Sequence, residues 1–331
     1  MATSYYNPNR SKTFNVEGQP LPSYVKHYLT HEATANKMSP MSVRNYSLTL
    51  GLFLQWLSWK DKPDTSIDEV DVISVPFETI GAVEEQDIRD FLDYCIRERK
   101  NGASACASKL SVLKAFFDYH IHETLTLADN PAANVSGPKK LKKEPKSLTA
   151  IEALNLIAAC NCGETPARDV CIATFILNTG IRVSELVALN LDDVDLDYET
   201  LRIRGKRRKD RLLSLNRDCV TALEFWLAER GNISLNDNSL FSSRRRGGRL
   251  TDRAVEQMLE KAFDRAGLSN RGYTVQSLRY TAGNLMYKSG AFEITDLQTI
   301  LGHKNLSSVE RYTKEDNQAH ARKAMKDFRI Q

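Results

Sequence analysis

The chain has 331 residues, 41% hydrophobic and 27% charged, and its 46 Lys/Arg against 42 Asp/Glu leave a net charge of only +4. That length can bury full cores without disulfides or metals and, at about 150 residues per domain, suggests two domains. No stretch of about 18 uninterrupted apolar residues occurs, which excludes a membrane-spanning helix, and the polar start MATSYYNPNR argues against a secretory signal.

Residues 1–20 read as a flexible arm without apolar periodicity. From Tyr24 to Lys60 a helical pattern dominates, broken near Pro40, with Val43, Tyr46, Leu50, Phe53 and Leu57 at three- and four-residue spacings. After a turn at DKPD, the spacing predicts a helix over Glu84–Arg99 with one apolar stripe of Ile88, Phe91, Leu92, Cys95 and Ile96. Another is predicted over Ser104–His122, with Leu110, Leu113, Phe117 and Ile121 on one side. Residues 21–135 thus read as a small helical bundle.

Residues 128–146 contain Pro131, Pro138, Pro145 and Gly137 and no apolar period, marking an inter-domain linker whose basic part is placed at 136–147. Over 148–331 the pattern begins with a helix near Thr149 and a second over Ala167–Asn178, stopped by Gly180. A short helix at Arg182–Leu189 follows, then two alternating strands, Thr200–Arg204 and Arg211–Leu215, around a basic turn. Further helices are expected at 217–230, 251–266, 275–289, 294–302 and 306–325. The fold class is mainly α with a small antiparallel β-sheet.

Basic residues cluster in three places: Lys139, Lys140, Lys142, Lys143 and Lys146; the run RIRGKRRKDR over 202–211; and Arg244, Arg245, Arg246, Arg249 and Arg253. Clustered cations neutralise phosphates and release counterions, so nucleic acid is the expected partner. Six cysteines, with only Cys160 and Cys162 close together, lack the second half of a zinc site and read as reduced thiols of a cytosolic protein.

Three segments carry unusual polar residues in apolar surroundings. In NTGIRVSELVALN, Arg182 follows a glycine turn and Glu185 lies a helical turn on; in TVQSLRYT, Gln276 and Arg279 share a helix face. In LGHKNLSSVERYT, His303 precedes Tyr312 by nine residues, and Lys206 follows Gly205 at the hairpin apex between the first two segments. Singly, each has an ordinary explanation as surface charge, packing or cap. Together, TGIRVSEL, RIRGKRRKDRLLSL, LGH and the following tyrosine resemble the tyrosine recombinase/phage integrase family in type, order and spacing, most closely its compact Xer-type and mobile-element members.

The resemblance covers about 148–320 and implies a catalytic domain there, with 21–135 resembling the family's helical core-binding domain. It implies that Arg182, Arg279 and His303 contact the scissile phosphate, that Tyr312 is the nucleophile giving a 3′-phosphotyrosyl bond, and that Lys206 is the general acid. Glu185 would support the site from behind. No cofactor or metal is implied, and the sequence carries neither a phosphate-binding loop nor a carboxylate metal cluster. Gln276 departs from the pattern, because the family usually has histidine there. Glutamine can donate or accept a hydrogen bond but cannot take up a proton near pH 7, and it is assigned here as a partner of the phosphate or of Tyr312. Lys139, Lys140, Lys142, Lys143, Arg207, Arg208, Lys209, Arg244, Arg245 and Arg246 are the expected DNA contacts, with Arg44, Lys109 and Lys114 as weaker candidates.

The expected partner is double-stranded DNA with paired inverted-repeat sites, bound by a homotetramer with or without a second recombinase, with no membrane. The expected location is cytoplasmic and nucleoid-associated. In relatives a C-terminal helix docks on a neighbouring protomer, and NQAHARKAMKDF beyond Tyr312 has the apolar residues for one. A non-cleaving DNA-binding protein on a degenerate scaffold and a type IB topoisomerase are the competing readings.

Overall fold

The computed structural model describes residues 14–60, 66–139, 145–205, 210–231, 238–243 and 247–302. The chain forms two compact units, dividing between residues 143 and 144.

The first unit is helical: α1 (Ser23–Thr34), α2 (Pro40–Trp59), α3 (Phe77–Gly81), α4 (Glu85–Arg97) and α5 (Ala103–His122). Ser39 caps α2 by accepting the Ser42 N–H, and Pro40 occupies a first-turn position where its missing N–H costs nothing. The carboxylate of Asp87 accepts the Glu84 N–H at 2.9 Å and so starts α4. Tyr28, Leu29, Phe53, Ile88, Phe91, Leu113 and Phe117 fill the core, where Phe53 meets Phe91 edge-on at 5.1 Å. Each fully buried side chain of this size contributes about 1.5–3 kcal/mol, and an edge-on ring pair adds about 0.5–1.5 kcal/mol. Ile96 falls outside the predicted stripe: it is 39% exposed, near the C-terminal end of α4. Lys114 donates to the Ala133 carbonyl at 2.8 Å, so this cation ties down the chain after α5.

The second unit comprises α6 (Ala150–Cys160), α7 (Pro166–Thr179), α8 (Val183–Leu186), strands β1 (Val194–Asp195), β2 (Thr200–Ile203) and β3 (Arg211–Ser214), then α9 (Arg217–Gly231). A two-residue ribbon, β4 (Ser242–Ser243) with β5 (Gly248–Arg249), precedes α10 (Asp252–Arg265), α11 (Val275–Lys288) and α12 (Ile294–Leu301). Helix α7 is the centre: Cys171, Ile172, Ala173, Phe175 and Ile176 are buried around its circumference, and it packs on α6, α9 and α11. A reciprocal capping box starts α6, with Thr149 and Glu152 each accepting the other's N–H. Leu148 N–H donates to Thr281 Oγ1 at 2.8 Å, fastening the start of this unit to α11.

The three-stranded sheet is antiparallel in the order β1-β2-β3, with Leu201 opposite Leu213 and Ile203 opposite Arg211. Leu201, Ile203 and Leu213 point inward, as the period of two requires, while Arg202 and Leu212 face out. The expected hairpin is therefore present, but β1, α3 and the β4–β5 ribbon were not anticipated. Among the described residues no helix is long and apolar enough to cross a membrane.

Candidate active site

The site is built where three chain segments end. Helix α7 stops at Gly180, whose φ of +60° makes the left-handed turn that a side chain would resist. The Gly180 N–H returns to the Ile176 carbonyl at 2.9 Å, and the chain reverses through Ile181 to Arg182, the N-cap of α8. Helix α12 ends in the same way at Gly302, with φ +61°. The two ends lie together: a Cβ on Gly180 would sit 2.3 Å from Leu301 Cδ2, and one on Gly302 would sit 3.0 Å from Arg211 Nη1.

Three arginines from three elements converge on the last carbonyls of α12. Arg211, opening β3, donates Nε–H to Ile300 O at 3.1 Å; Arg279 of α11 donates to Leu301 O; Arg182 donates to Gly302 O at 3.3 Å. Arg279, 2% exposed, also donates to Gly180 O and so fastens the end of α7 to the end of α12. Cations at the C-terminal end of a helix meet its negative pole and satisfy carbonyls that lack a partner within the helix.

Glu185 joins two of these arginines. Its Oε1 accepts from Arg182 Nη1 at 2.9 Å and from Arg211 Nη1 at 3.1 Å, while Oε2 accepts from Arg211 Nη2 and from the Arg182 backbone N–H at 2.9 and 3.0 Å. Burial pushes this carboxyl up, but the Arg211 hydrogen bonds and the charges of Arg211 and Arg182 outweigh it and hold the group below the ordinary carboxylate range. It is therefore an anion at neutral pH, fully engaged by its partners.

Arg182, Gln276 and Arg279 line one cleft of 380 Å³ with Ile181, Tyr273 and Thr274. Gln276 is exposed in the first turn of α11, where the helix dipole favours anions. Glu256 and Glu260 of α10 also line the cleft, and Arg253 pairs with both at 3.4 and 3.7 Å. Each Nη carries two N–H groups, so Arg182, 40% exposed with its Nη atoms bonded to Glu185 and the Gly302 carbonyl, keeps further donors for a planar or tetrahedral oxyanion.

Of the expected site residues, Arg182, Glu185, Gln276 and Arg279 are brought together. Lys206, His303 and Tyr312 lie outside the described residues, as do Lys140, Lys142, Lys143, Arg207, Arg208, Lys209, Arg244, Arg245, Arg246 and the C-terminal helix. Lys139 is exposed.

The basic runs need correction at their edges. Arg202 and Arg204 pair with buried Asp193 at 3.4 and 2.7 Å, and Arg211 turns inward on Glu185. Arg249 donates to the carbonyls of Val187 and Leu189 at 2.8 and 2.7 Å, and Lys146 donates to that of Arg271 at 2.5 Å. These cations hold the fold together. Arg211 was missed as a site residue because a charge run reveals sign and not orientation. Tyr280 packs against Leu297 and Leu301, and Tyr273 against the main core. Burial pushes the thiols of Cys160 and Cys219 up to about 12, which leaves both unreactive near neutrality.

Comparison with known proteins agrees with this architecture. Residues 146–319, just over half of the chain, match the model of the phage integrase family. The tyrosine recombinase XerC of Caldanaerobacter subterraneus subsp. tengcongensis is 31% identical over 316 residues, covering 95% of this chain and 89% of the relative. XerC of Alcanivorax borkumensis is 30% identical over 298 residues, covering 89% of this chain and 90% of the relative. Among solved structures, XerH recombinase bound to palindromic difH in a post-cleavage complex aligns with a TM-score of 0.73 at 19% identity, over 95% of this chain and 97% of that one. A lambda integrase dimer on a COC′ core site aligns with a TM-score of 0.66 at 19% identity, over 88% of this chain and 94% of that one. The structural likenesses carry the fold; the family match and the sequence identity carry the kinship. The chain is a tyrosine recombinase of the phage integrase family.

Proposed function

We propose that this enzyme exchanges DNA strands between two specific sites, cleaving each through a 3′-phosphotyrosyl bond to Tyr312. The observation that carries the proposal is the convergence of Arg182, Arg279 and Gln276 on one cleft, with Glu185 holding Arg182 from behind. A phosphodiester seated there would have its non-bridging oxygens held by two guanidinium groups, with His303 as a third donor. Tyr312 would attack phosphorus; the P–O5′ bond breaks as the O–P bond to tyrosine forms, and Lys206 gives a proton to the departing 5′-oxygen. The phosphotyrosyl bond conserves the bond energy, so a partner strand's 5′-hydroxyl can reverse the step without a high-energy cofactor. Catalysis then rests on positioning and on stabilising the charge of the transition state.

A free tyrosine has a pKa of about 10, so the phenol of Tyr312 must be helped to ionise. Gln276 cannot accept its proton; the adjacent guanidinium groups would stabilise the phenolate, with water carrying the proton away. Lys139, Lys140, Lys142, Lys143, Arg207, Arg208, Lys209 and Arg244 to Arg246 would grip phosphates, giving affinity and salt dependence more than sequence readout. The substrate would be double-stranded DNA with paired inverted-repeat sites and the assembly a homotetramer, in the cytoplasm on the nucleoid. A lambda integrase tetramer on a Holliday junction, which this chain resembles at a TM-score of 0.64, supports assembly of this kind.

The chemical polarity of cleavage tests the proposal. On duplexes labelled at one 5′ end, the protein adduct must retain the 5′-labelled fragment and leave a 5′-hydroxyl on the other. Attachment to a 5′-phosphate would contradict it. Relaxation of plasmids that lack the site would instead indicate a topoisomerase.

A further inference from the structure

Arg211 begins β3, immediately after the segment of the hairpin that contains Lys206. Its side chain is 13% exposed, against 40% for Arg182. Both Nη atoms bind opposite oxygens of Glu185, at 3.1 and 2.9 Å, while Nε donates to the Ile300 carbonyl at 3.1 Å. A planar guanidinium can hold a carboxylate with one edge and a carbonyl with another; a lysine ammonium, a compact point charge, cannot reproduce that fork. Because these donors face inward, the group is directed away from a bound phosphate. The same Glu185 oxygen that meets Arg211 Nη1 also orients Arg182 Nη1.

We infer that Arg211 is a positioning residue for strand transfer: it fixes Glu185, and through it the Arg182 fork, and it clamps the end of α12 from which the chain continues to His303. The inference rests on the recombinase reading of Arg182. It joins the hairpin that carries Lys206 to the arginine site by one side chain. Loss of that side chain would therefore misplace the reacting groups without removing a DNA contact.

The test uses Arg211→Lys, Glu185→Gln and the double variant of the full chain, on a duplex recovered by covalent trapping from source DNA. Single-turnover adduct formation at saturating DNA should fall about a hundredfold in Arg211→Lys, the scale of a small misplacement of reacting groups. The dissociation constant for DNA should stay within about twofold, since the change is in the chemical step and not in uniform binding. The double variant should lose less than the two singles combined, because they share the Arg211–Glu185 contact. A wild-type rate, a loss confined to DNA affinity, or additive losses would overturn the inference.

Melting curves check folding. If Arg211→Lys does not fold, Glu185→Gln carries the test, with the same loss expected and a wild-type rate overturning it. If the wild type itself forms no adduct, the strand-transfer reading is what has failed. The Arg182 side-chain resonances then decide the inference: Arg211→Lys should shift the Arg182 Nε–H signal and increase its side-chain motion, because Glu185 is no longer held in place. Unchanged Arg182 signals would overturn it.

Discussion

Replacing Gly180 with alanine would strain the junction on which the site is built, in two separable ways. The residue would have to adopt φ +60°, and its Cβ would meet Leu301 Cδ2 at 2.3 Å. The left-handed backbone costs a non-glycine residue about 1–2 kcal/mol, and forcing an extra methyl into a packed contact costs about 1–3 kcal/mol. Their sum, about 2–5 kcal/mol, is a large part of the roughly 5–15 kcal/mol that stabilises a typical domain. Gly267 supplies the control, because it has φ +70° with nothing within 4 Å of a Cβ. Gly267→Ala should therefore lose only the backbone share, about 1–2 kcal/mol. Urea titration read by hydrogen exchange of the α7 amides measures both. Gly180→Ala should be the more destabilising by the size of the clash, and adding Leu301→Ala should cost less than the sum of the singles. Equal losses at Gly180 and Gly267, or strict additivity with Leu301→Ala, would refute the reasoning. Because Arg279 donates to the Gly180 carbonyl, Gly180→Ala should also slow adduct formation.

Three further outcomes follow from the geometry. His120 is 3% exposed among Tyr24, Phe77, Phe116 and Tyr119, and burial pushes its pKa down to about 4. The unfolded chain therefore binds that proton first, and the first unit should lose roughly 3 kcal/mol as pH falls from about 6.5 to 4; hydrogen exchange of α5 should show that slope flattened in His120→Phe. Arg168 pairs with buried Asp169 at 2.7 Å, and burial, outweighing that pairing, still pushes the Asp169 carboxyl up. Arg168→Met should thus cost about 3–5 kcal/mol in urea unfolding, most of it restored by adding Asp169→Leu; no rescue would contradict the account. Gln276→His tests the departure from the family pattern: adduct formation impaired at every pH indicates a specialised glutamine, whereas a faster variant indicates that histidine serves better there.

Helical periodicity made the long elements readable, because α2, α4 and α5 each bury one face and the pattern records that face. Central α7, buried nearly all round, was readable from its glycine stop and length. The two-residue strands β1, β4 and β5 and the five-residue α3 are too short to show any period, and tertiary contacts define them. At the site, residue type and order pointed to Arg182, Glu185, Gln276 and Arg279, and folding gathers all four. The sequence could not say which members of a basic run face inward. Arg202, Arg204, Arg211 and Arg249 look like phosphate contacts in one dimension and prove to satisfy Asp193, Glu185 and backbone carbonyls in three.

Covalent trapping on DNA tests the central claim most directly. Wild-type protein and Tyr312→Phe would each be incubated with sheared source DNA enriched for its own locus, denatured, and the protein-linked fragments sequenced. The account predicts an adduct formed by the wild type alone, mapping to a paired, inverted-repeat site. Tight binding with no adduct from the wild type, or an adduct that persists in Tyr312→Phe, would contradict it.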